Sequence, residues 1–127
     1  MSLTINRDVF PLAQVFTISR GSRTEAKVLS VKISRDGISG WGECVPYARY
    51  NETAASVSEQ IKSLPDAFDR QSLYELLPPG AARNAVDCAL WDLEAKQSNF
   101  RVWQLAGLPA PGPETVSYTH LTLPTKA

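Results

Sequence analysis

The chain has 127 residues, of which 43% are hydrophobic and 20% charged, and its 13 basic and 13 acidic side chains cancel. This composition suits a single globular domain with a modest core, and it lacks the basic surplus of nucleic-acid-binding or polybasic membrane-surface proteins. No apolar stretch reaches the length of a membrane span and the N-terminus lacks the layout of a signal peptide, so we expect a cytoplasmic protein.

The first third of the chain has the two-residue period of half-buried β-strands. Apolar and polar residues alternate over 3–10 and again over 27–34. Asp36-Gly37 predicts a tight hairpin turn after the second segment, with a partner strand over 38–45. The sequence therefore predicts three antiparallel strands.

The glycines and cysteines of the body indicate packing rather than chemistry. Gly40 and Gly42 lie inside the third predicted strand, where glycine favours a bulge or the close approach of another backbone. Cys44 and Cys88 are far apart and have no metal-ligand spacing. We expect both to be buried, reduced thiols that act as small hydrophobic side chains.

Helical patterns fill the middle of the chain. The segment 51–64 has Asn51 as its expected N-cap, and 69–77 predicts a short second helix that ends before the Pro78-Pro79 pair. The strongest pattern covers 80–97, where apolar residues at spacings of three and four predict one broad buried face. That face consists of Ala82, Ala85, Val86, Ala89, Leu90 and Leu93.

The polar residues form no catalytic constellation. The sequence has no phosphate loop, no nucleophile elbow and no carboxylate cluster at metal-ligand spacing. Asp87, Asp92 and Glu94 fall on the 80–97 helix, where we expect a solvated face, and Lys96 forms a weak surface pair with Asp92. An α+β body that lacks an active site of its own indicates an accessory domain, followed by a proline-rich connector over 108–114.

Three stretches carry a family resemblance: FTISRGSRTEA (16–26), GWGECVPYARYNE (40–52) and LPPGAARNAVDCALWDLEAKQ (77–97). They resemble the N-terminal capping domain of enolase-superfamily dipeptide epimerases, in particular the L-Ala-D/L-Glu epimerases and N-acetyl-glutamate racemases. The resemblance implies an α+β cap, a three-stranded antiparallel meander followed by a helical bundle, which stands over the mouth of a (β/α) barrel.

The resemblance also implies the chemistry of an intact parent enzyme. In this family two barrel lysines remove and return a proton α to a carboxylate, and Mg²⁺ held by three acidic residues stabilises the enediolate. Those residues belong to barrel strands after the connector, so we expect no catalytic or metal-ligating residue here and an inactive fragment. The expected partners are the missing barrel and a dipeptide or N-acyl amino acid with an acidic side chain, without nucleic acid or membrane. Whether the intact parent enzyme forms oligomers is left open by the sequence.

In this family the cap supplies substrate specificity through two loops. Arg23 matches a family position that binds the distal carboxylate of the substrate, and Arg20 in the same Ser-Arg-Gly-Ser-Arg loop is a second candidate. A guanidinium suits this task because it can bind a carboxylate through two N–H groups. The alternative for each arginine is a solvated loop residue. In the second loop Tyr47, Arg49 and Tyr50 are candidates for the pocket wall, with packing against the barrel rim as the alternative.

The C-terminal stretch VSYTHLTLPTKA contains the only histidine, His120. Residues 116–125 match one reading frame of a transposase adapter used to build sequencing libraries, and Thr115 and Lys126 satisfy the codon limits of that frame. We therefore predict a capping domain over 1–114 and an adapter-derived tail over 115–127, which gives His120 no role. A genuine β-strand is the alternative, because the stretch alternates in polarity.

The sequence thus favours the cap of a Mg²⁺-dependent dipeptide epimerase or N-acyl-glutamate racemase. One alternative is the cap of a muconate-lactonising or o-succinylbenzoate synthase-like enzyme. Another is a free-standing small domain that binds an acidic ligand through its arginines. A connector that runs into foreign sequence favours truncation over the free-standing domain. We further expect the isolated cap to expose apolar surface, including part of the Val86–Leu93 helix or its tryptophans.

Overall fold

The computed structural model describes residues 1–19 and 21–112. The strands are β1 (Ser2–Ile18), β2 (Gly21–Arg35) and β3 (Ile38–Cys44), and the helices are α1 (Ala54–Lys62), α2 (Arg70–Leu76), α3 (Ala81–Ser98) and α4 (Val102–Leu105), with a 3₁₀ turn at Ala48–Tyr50. The strands form one antiparallel sheet in the order β1-β2-β3. The predicted α+β fold, a meander followed by helices, is confirmed. Arg20 and the predicted tail over 115–127, including His120, lie outside the described residues.

The first two strands are much longer than the sequence predicts. Their pairing runs from Ser2 opposite Ser34 to Ile18 opposite Gly21, with a register shift between Pro11 and Phe16. The distal part of this hairpin extends beyond the helices, so its exposed side chains do not show the alternation on which the prediction relied. Gly21, Ser22 and Arg23 of the predicted Ser-Arg-Gly-Ser-Arg loop are therefore strand residues at the start of β2.

The core lies between the sheet and α3, and glycine makes its closest contact. A Cβ atom on Gly42 would lie 1.9 Å from the carbonyl oxygen of Ala85, and one on Gly40 would lie 2.2 Å from that of Ala89. The backbones of β3 and α3 therefore pack directly on each other, as the two glycines predict. The predicted face of α3 is confirmed, because Ala82, Ala85, Val86, Ala89, Leu90 and Leu93 are all buried.

Asp92 on α3 has structural partners, so the expected solvated face is only partly solvated. Asp92 Oδ2 accepts hydrogen bonds from the Trp41 N–H (2.9 Å) and from Lys96 Nζ (2.8 Å). Lys96 Nζ also donates to the carbonyl oxygen of Ser39 at 3.0 Å. The predicted Asp92–Lys96 pair thus satisfies backbone groups on the free edge of β3, which would otherwise be open to another strand.

The other two acids of that face are half-buried as well. Glu94 pairs with Arg70, whose guanidinium carbon lies 3.6 Å from the centre of the Trp91 ring and so links α2 to α3. Asp87 Oδ1 is buried and has no hydrogen-bond partner among the described residues. Glu94 and Asp92 therefore pair with neighbouring structure while their side chains stay 40% and 34% exposed.

The helix starts correct one prediction. Asn51 is not the N-cap of α1: it adopts a left-handed conformation (φ 59°) at the end of the 3₁₀ turn. Thr53 caps α1 instead, because its hydroxyl accepts the Ser56 N–H at 3.0 Å while the Ser56 hydroxyl accepts the Thr53 N–H at 2.9 Å. The N-cap of α3 is Gly80, which has no side chain with which to cap the helix.

The two cysteines differ in burial. Cys44 is buried as expected, but Cys88 is exposed on α3, so the prediction of two buried thiols is half wrong. The reason is the helical period, which turns Cys88 away from the sheet between the buried Ala85 and Ala89. Within the described residues, none of the helices is long and apolar enough to cross a membrane.

Candidate substrate-specificity site

The distal half of the β1–β2 hairpin presents apolar side chains to its surroundings. Five of them are between 41% and 60% exposed: Val9, Phe10, Val15, Phe16 and Ile18. A concavity of about 430 Å³ lies between this hairpin and Val45. The expected apolar surface is thus present on the hairpin, together with Trp41, which is 49% exposed. Of the two surfaces expected, the tryptophan is the one exposed, whereas Val86 and Leu93 at the ends of the helical segment are each 0% exposed.

Arg23 lies where this apolar hairpin meets the segment after β3. It is a strand residue of β2, paired opposite Phe16, and it is exposed. It lines the hairpin concavity and a second concavity of about 460 Å³ whose far side includes Pro46 and Ala48. Within residues 1–19 and 21–112 no carboxylate pairs with its guanidinium, since the ion pairs there are Lys27–Glu25, Arg70–Glu94 and Lys96–Asp92. The guanidinium is available for the carboxylate of a ligand.

The turn at 47–52 is a compact unit closed by its own backbone. The carbonyl oxygen of Tyr47 accepts the N–H groups of Tyr50 (2.9 Å) and Glu52 (3.2 Å). The rings of Tyr47 and Tyr50 are 5.5 Å apart and tilted by 47°. Tyr50 is 70% exposed, Tyr47 is half-buried and Arg49 is exposed. The turn therefore offers an aromatic pair and one cation at its surface.

The predicted site residues do not share one pocket. Tyr47 and Tyr50 line a concavity of about 490 Å³ against Pro79 and Asn84, whereas Arg23 lines the concavities on the hairpin side of the turn. Arg49 lines none of these three. The turn thus separates a guanidinium side from an aromatic side.

Sequence reasoning missed Glu52. One oxygen of its half-buried carboxylate accepts the Tyr47 N–H at 3.1 Å, and the other accepts the Ala81 N–H at 2.8 Å. One signal was available in the sequence. Gly80 precedes a strong helix and cannot cap it, so the first N–H groups of α3 require an acceptor from elsewhere in the chain.

The cysteines near this region are not activated as nucleophiles. Burial, with the nearby negative charges of Glu52 and Glu43, raises the pKa of the Cys44 thiol to about 11. Partial burial and the charge of Asp87 also raise the pKa of Cys88. Since the thiolate is the reactive form, both thiols stay protonated and unreactive at neutral pH. Among the described residues, no three His, Cys, Asp or Glu side chains come together as a metal site.

The capping domains of (β/α)-barrel enzymes have this architecture: a three-stranded meander covered by helices, with a projecting hairpin and a closed turn. Residues 1–107 match the family described as the mandelate racemase / muconate lactonizing enzyme, N-terminal domain, and the chain belongs to this family.

Two curated relatives lie within the predicted branch. The chain is 45% identical over 119 residues to the L-Ala-D/L-Glu epimerase of Escherichia coli (strain K12), covering 91% of this chain and 36% of that protein. It is 50% identical over 72 residues to the N-acetyl-D-glutamate racemase of a Pseudoalteromonas species, covering 52% of this chain and 23% of that protein. The chain therefore spans about a third or less of the length of these relatives.

Two solved structures show the same fold. An enolase family member from Agrobacterium tumefaciens with homology to dipeptide epimerases, solved with bound sodium and L-Ala-L-Glu, is 48% identical with a TM-score of 0.79 over 85% of this chain and 35% of that one. A dipeptide epimerase from Methylococcus capsulatus, complexed with Mg and L-Arg-D-Lys, is 28% identical with a TM-score of 0.69 over 84% of this chain and 34% of that one.

Proposed function

We propose that this chain is the substrate-specificity cap of a dipeptide epimerase of the L-Ala-D/L-Glu type, or of an N-acyl-glutamate racemase. Residues 1–114 form the cap in this proposal, and 115–127 are the adapter-derived tail. The observation that carries the proposal is the position of Arg23 at the junction of the apolar hairpin and the 47–52 turn, where it has no carboxylate partner within residues 1–19 and 21–112. Identity to an L-Ala-D/L-Glu epimerase over most of the chain supports it.

The cap binds and orients the substrate. The guanidinium of Arg23 can hold the distal carboxylate of an acidic dipeptide through two N–H groups, and Arg20 is proposed as a second carboxylate-binding residue. The apolar hairpin limits water around this ion pair, which strengthens the attraction between the two charges. Tyr47, Arg49 and Tyr50 are proposed as a second wall of the substrate site, on the other side of the turn from Arg23, where the exposed Tyr50 ring offers the largest contact surface.

Proton transfer belongs to a barrel outside this chain in this proposal. The residues described here do not fit Mg²⁺, because they bring together no group of three acidic, His or Cys side chains. The metal ligands and the proton-transferring lysines are therefore assigned to the barrel. The partners are that barrel and a small acidic substrate, and we place the protein in the cytoplasm, because its two cysteines are unpaired.

A hybrid enzyme tests this function. Residues 1–114 replace the corresponding cap of the Escherichia coli epimerase, and epimerisation of L-Ala-D-Glu is followed by exchange of the α-proton. We expect activity, and we expect Arg23→Gln to lower kcat/KM for L-Ala-D-Glu by about tenfold to a hundredfold, the range for one charged hydrogen-bonded contact. A dipeptide with a neutral side chain should be affected little.

Arg101→Gln is the matched control, because Arg101 is exposed and precedes α4, far along the chain from the hairpin. An inactive hybrid would contradict the epimerase assignment, and equal losses on acidic and neutral dipeptides would contradict the role of Arg23. Submillimolar binding of L-Ala-L-Glu by the 127-residue chain alone, measured by calorimetry, would favour a free-standing acidic-ligand-binding domain instead.

A further inference from the structure

The Glu52 carboxylate joins two segments that are distant in sequence. Its two oxygens accept the N–H of Tyr47, at the start of the turn, and the N–H of Ala81, at the start of α3. Both oxygens accept from backbone donors, and the Ala81 N–H would otherwise lack a partner within α3, because it lies in the first turn of a helix whose N-cap is glycine. The positive end of the α3 dipole adds to the attraction for a carboxylate.

The two segments differ in how firmly they are held. The start of α3 belongs to a helix whose backbone rests directly on Gly40 and Gly42 of the sheet. The 47–52 turn, by contrast, has no buried side chain within its 3₁₀ segment, and Tyr50 is 70% exposed. A turn with so little buried surface depends on polar links for its position. Glu52 thus connects the less anchored segment to a firmly packed one.

We propose that Glu52 is a positioning residue, which fixes the Tyr47–Tyr50 turn relative to the N-terminus of α3 and so sets where the aromatic wall stands over the substrate. The part of this inference that concerns substrate rests on the proposed function. The part that concerns the turn is a property of this chain and can be measured without any activity.

The test uses the ¹⁵N-labelled 127-residue chain and amide hydrogen exchange measured by NMR. Glu52→Ala removes both acceptors, so the amides of Tyr47 and Ala81 should exchange about tenfold faster or more, the effect expected for losing a hydrogen bond to a charged group. Glu52→Gln keeps one oxygen and replaces the other with an NH₂ group, which cannot accept. Only one of the two amides should then lose protection.

Two controls separate positioning from general stability. Glu43→Gln, an exposed acid on β3 next to the same region, should change neither amide. The core amides of Val31 and Leu93 should keep their exchange rates in Glu52→Ala, because these residues are fully buried away from the turn. Unchanged exchange at Tyr47 and Ala81, or acceleration spread evenly over the core amides, would overturn the proposal.

The same substitution in the hybrid enzyme tests the effect on substrate. We expect Glu52→Gln to raise KM for L-Ala-D-Glu severalfold with kcat nearly unchanged, because a displaced wall weakens binding without altering the reacting groups. Unaltered KM in an active hybrid would overturn the positioning role. An inactive hybrid without the substitution would instead refute the proposed function, and the exchange rates would still decide whether Glu52 holds the turn.

Discussion

A methyl group on Gly42 should weaken the fold, because there is no space for it between β3 and α3. The nearest atom to the added Cβ is the carbonyl oxygen of Ala85, at 1.9 Å, and backbone cannot rotate aside as a side chain can. Restoring an ordinary contact of about 3.4 Å moves α3 away from β3 by about 1.5 Å. A gap of about 0.5 to 1 Å already removes about a quarter to a half of the attraction between facing groups, so this larger gap removes more than half.

The size of the loss follows from the side chains that α3 buries. Val86, Leu90 and Leu93 are at most 2% exposed, and burying each of them contributes about 2 kcal/mol. Losing more than half of that contribution gives about 3 kcal/mol or more for Gly42→Ala. Urea unfolding of the full chain, followed by tryptophan fluorescence, measures this as a fall in midpoint of about 1 M or more.

Two further variants make this result decisive. Gly112→Ala places a methyl group where no atom lies within 4 Å, so it should leave the midpoint unchanged. Ala85→Gly combined with Gly42→Ala should give no rescue, because the obstacle is the Ala85 carbonyl and not its side chain. A loss below about 0.5 kcal/mol for Gly42→Ala, within the range of surface substitutions, or clear rescue by Ala85→Gly, would refute the reasoning.

Three other outcomes are expected. Burial acts to raise the pKa of Asp92, but hydrogen bonds from Lys96 and Trp41 and the Lys96 charge outweigh it, so this pKa is lowered. Its contribution is present above the unfolded pKa of about 3.9 and is lost as pH falls through the folded pKa. Asp92→Asn should therefore be less stable by about 0.5 kcal/mol at pH 7, and urea unfolding at a series of pH values should show the gap closing in acid. The 127-residue chain should neither exchange the α-proton of L-Ala-D-Glu with deuterium nor bind Mg²⁺ at a defined site by calorimetry, and measurable exchange would contradict this. Deleting residues 115–127 should leave the urea midpoint unchanged or higher, whereas a loss above about 2 kcal/mol would show that this segment belongs to the fold.

The elements that bury a regular stripe could be predicted from the sequence. The structure has the strands predicted over 27–34 and 38–45 and the long helix predicted over 80–97. Each of these elements has one face in the core, so the spacing of its apolar residues follows the period of the strand or helix. The distal hairpin could not be predicted in this way. Its strands are held by backbone pairing outside the core. Because neither face of this part of the sheet is buried, its apolar and polar residues need not alternate.

The candidate site was predictable only in part. The resemblance indicated Arg23 and the turn at 47–52, but not that the turn separates the guanidinium from the tyrosines. Glu52 was missed because its partner, the Ala81 N–H, is 29 residues away, and Gly80 indicates only that α3 needs an acceptor, not which residue supplies it. Asn51 was mistaken for a helix cap because asparagine suits both an N-cap and the left-handed conformation that it adopts here.

The Asp92–Lys96 pair makes the two borders of the sheet unequal. On the β3 side the Trp41 N–H donates to the Asp92 carboxylate, and the Ser39 carbonyl oxygen accepts from the Lys96 ammonium. These two backbone groups are therefore not free to pair with an incoming strand. On the β1 side Pro11 interrupts the hydrogen-bonding line at a single position. We therefore expect strand addition to be easier beside β1 than beside β3. An engineered strand, an affinity tag or a second molecule would add beside β1, while strong acid, by neutralising Asp92, would open the opposite border and favour aggregation through β3.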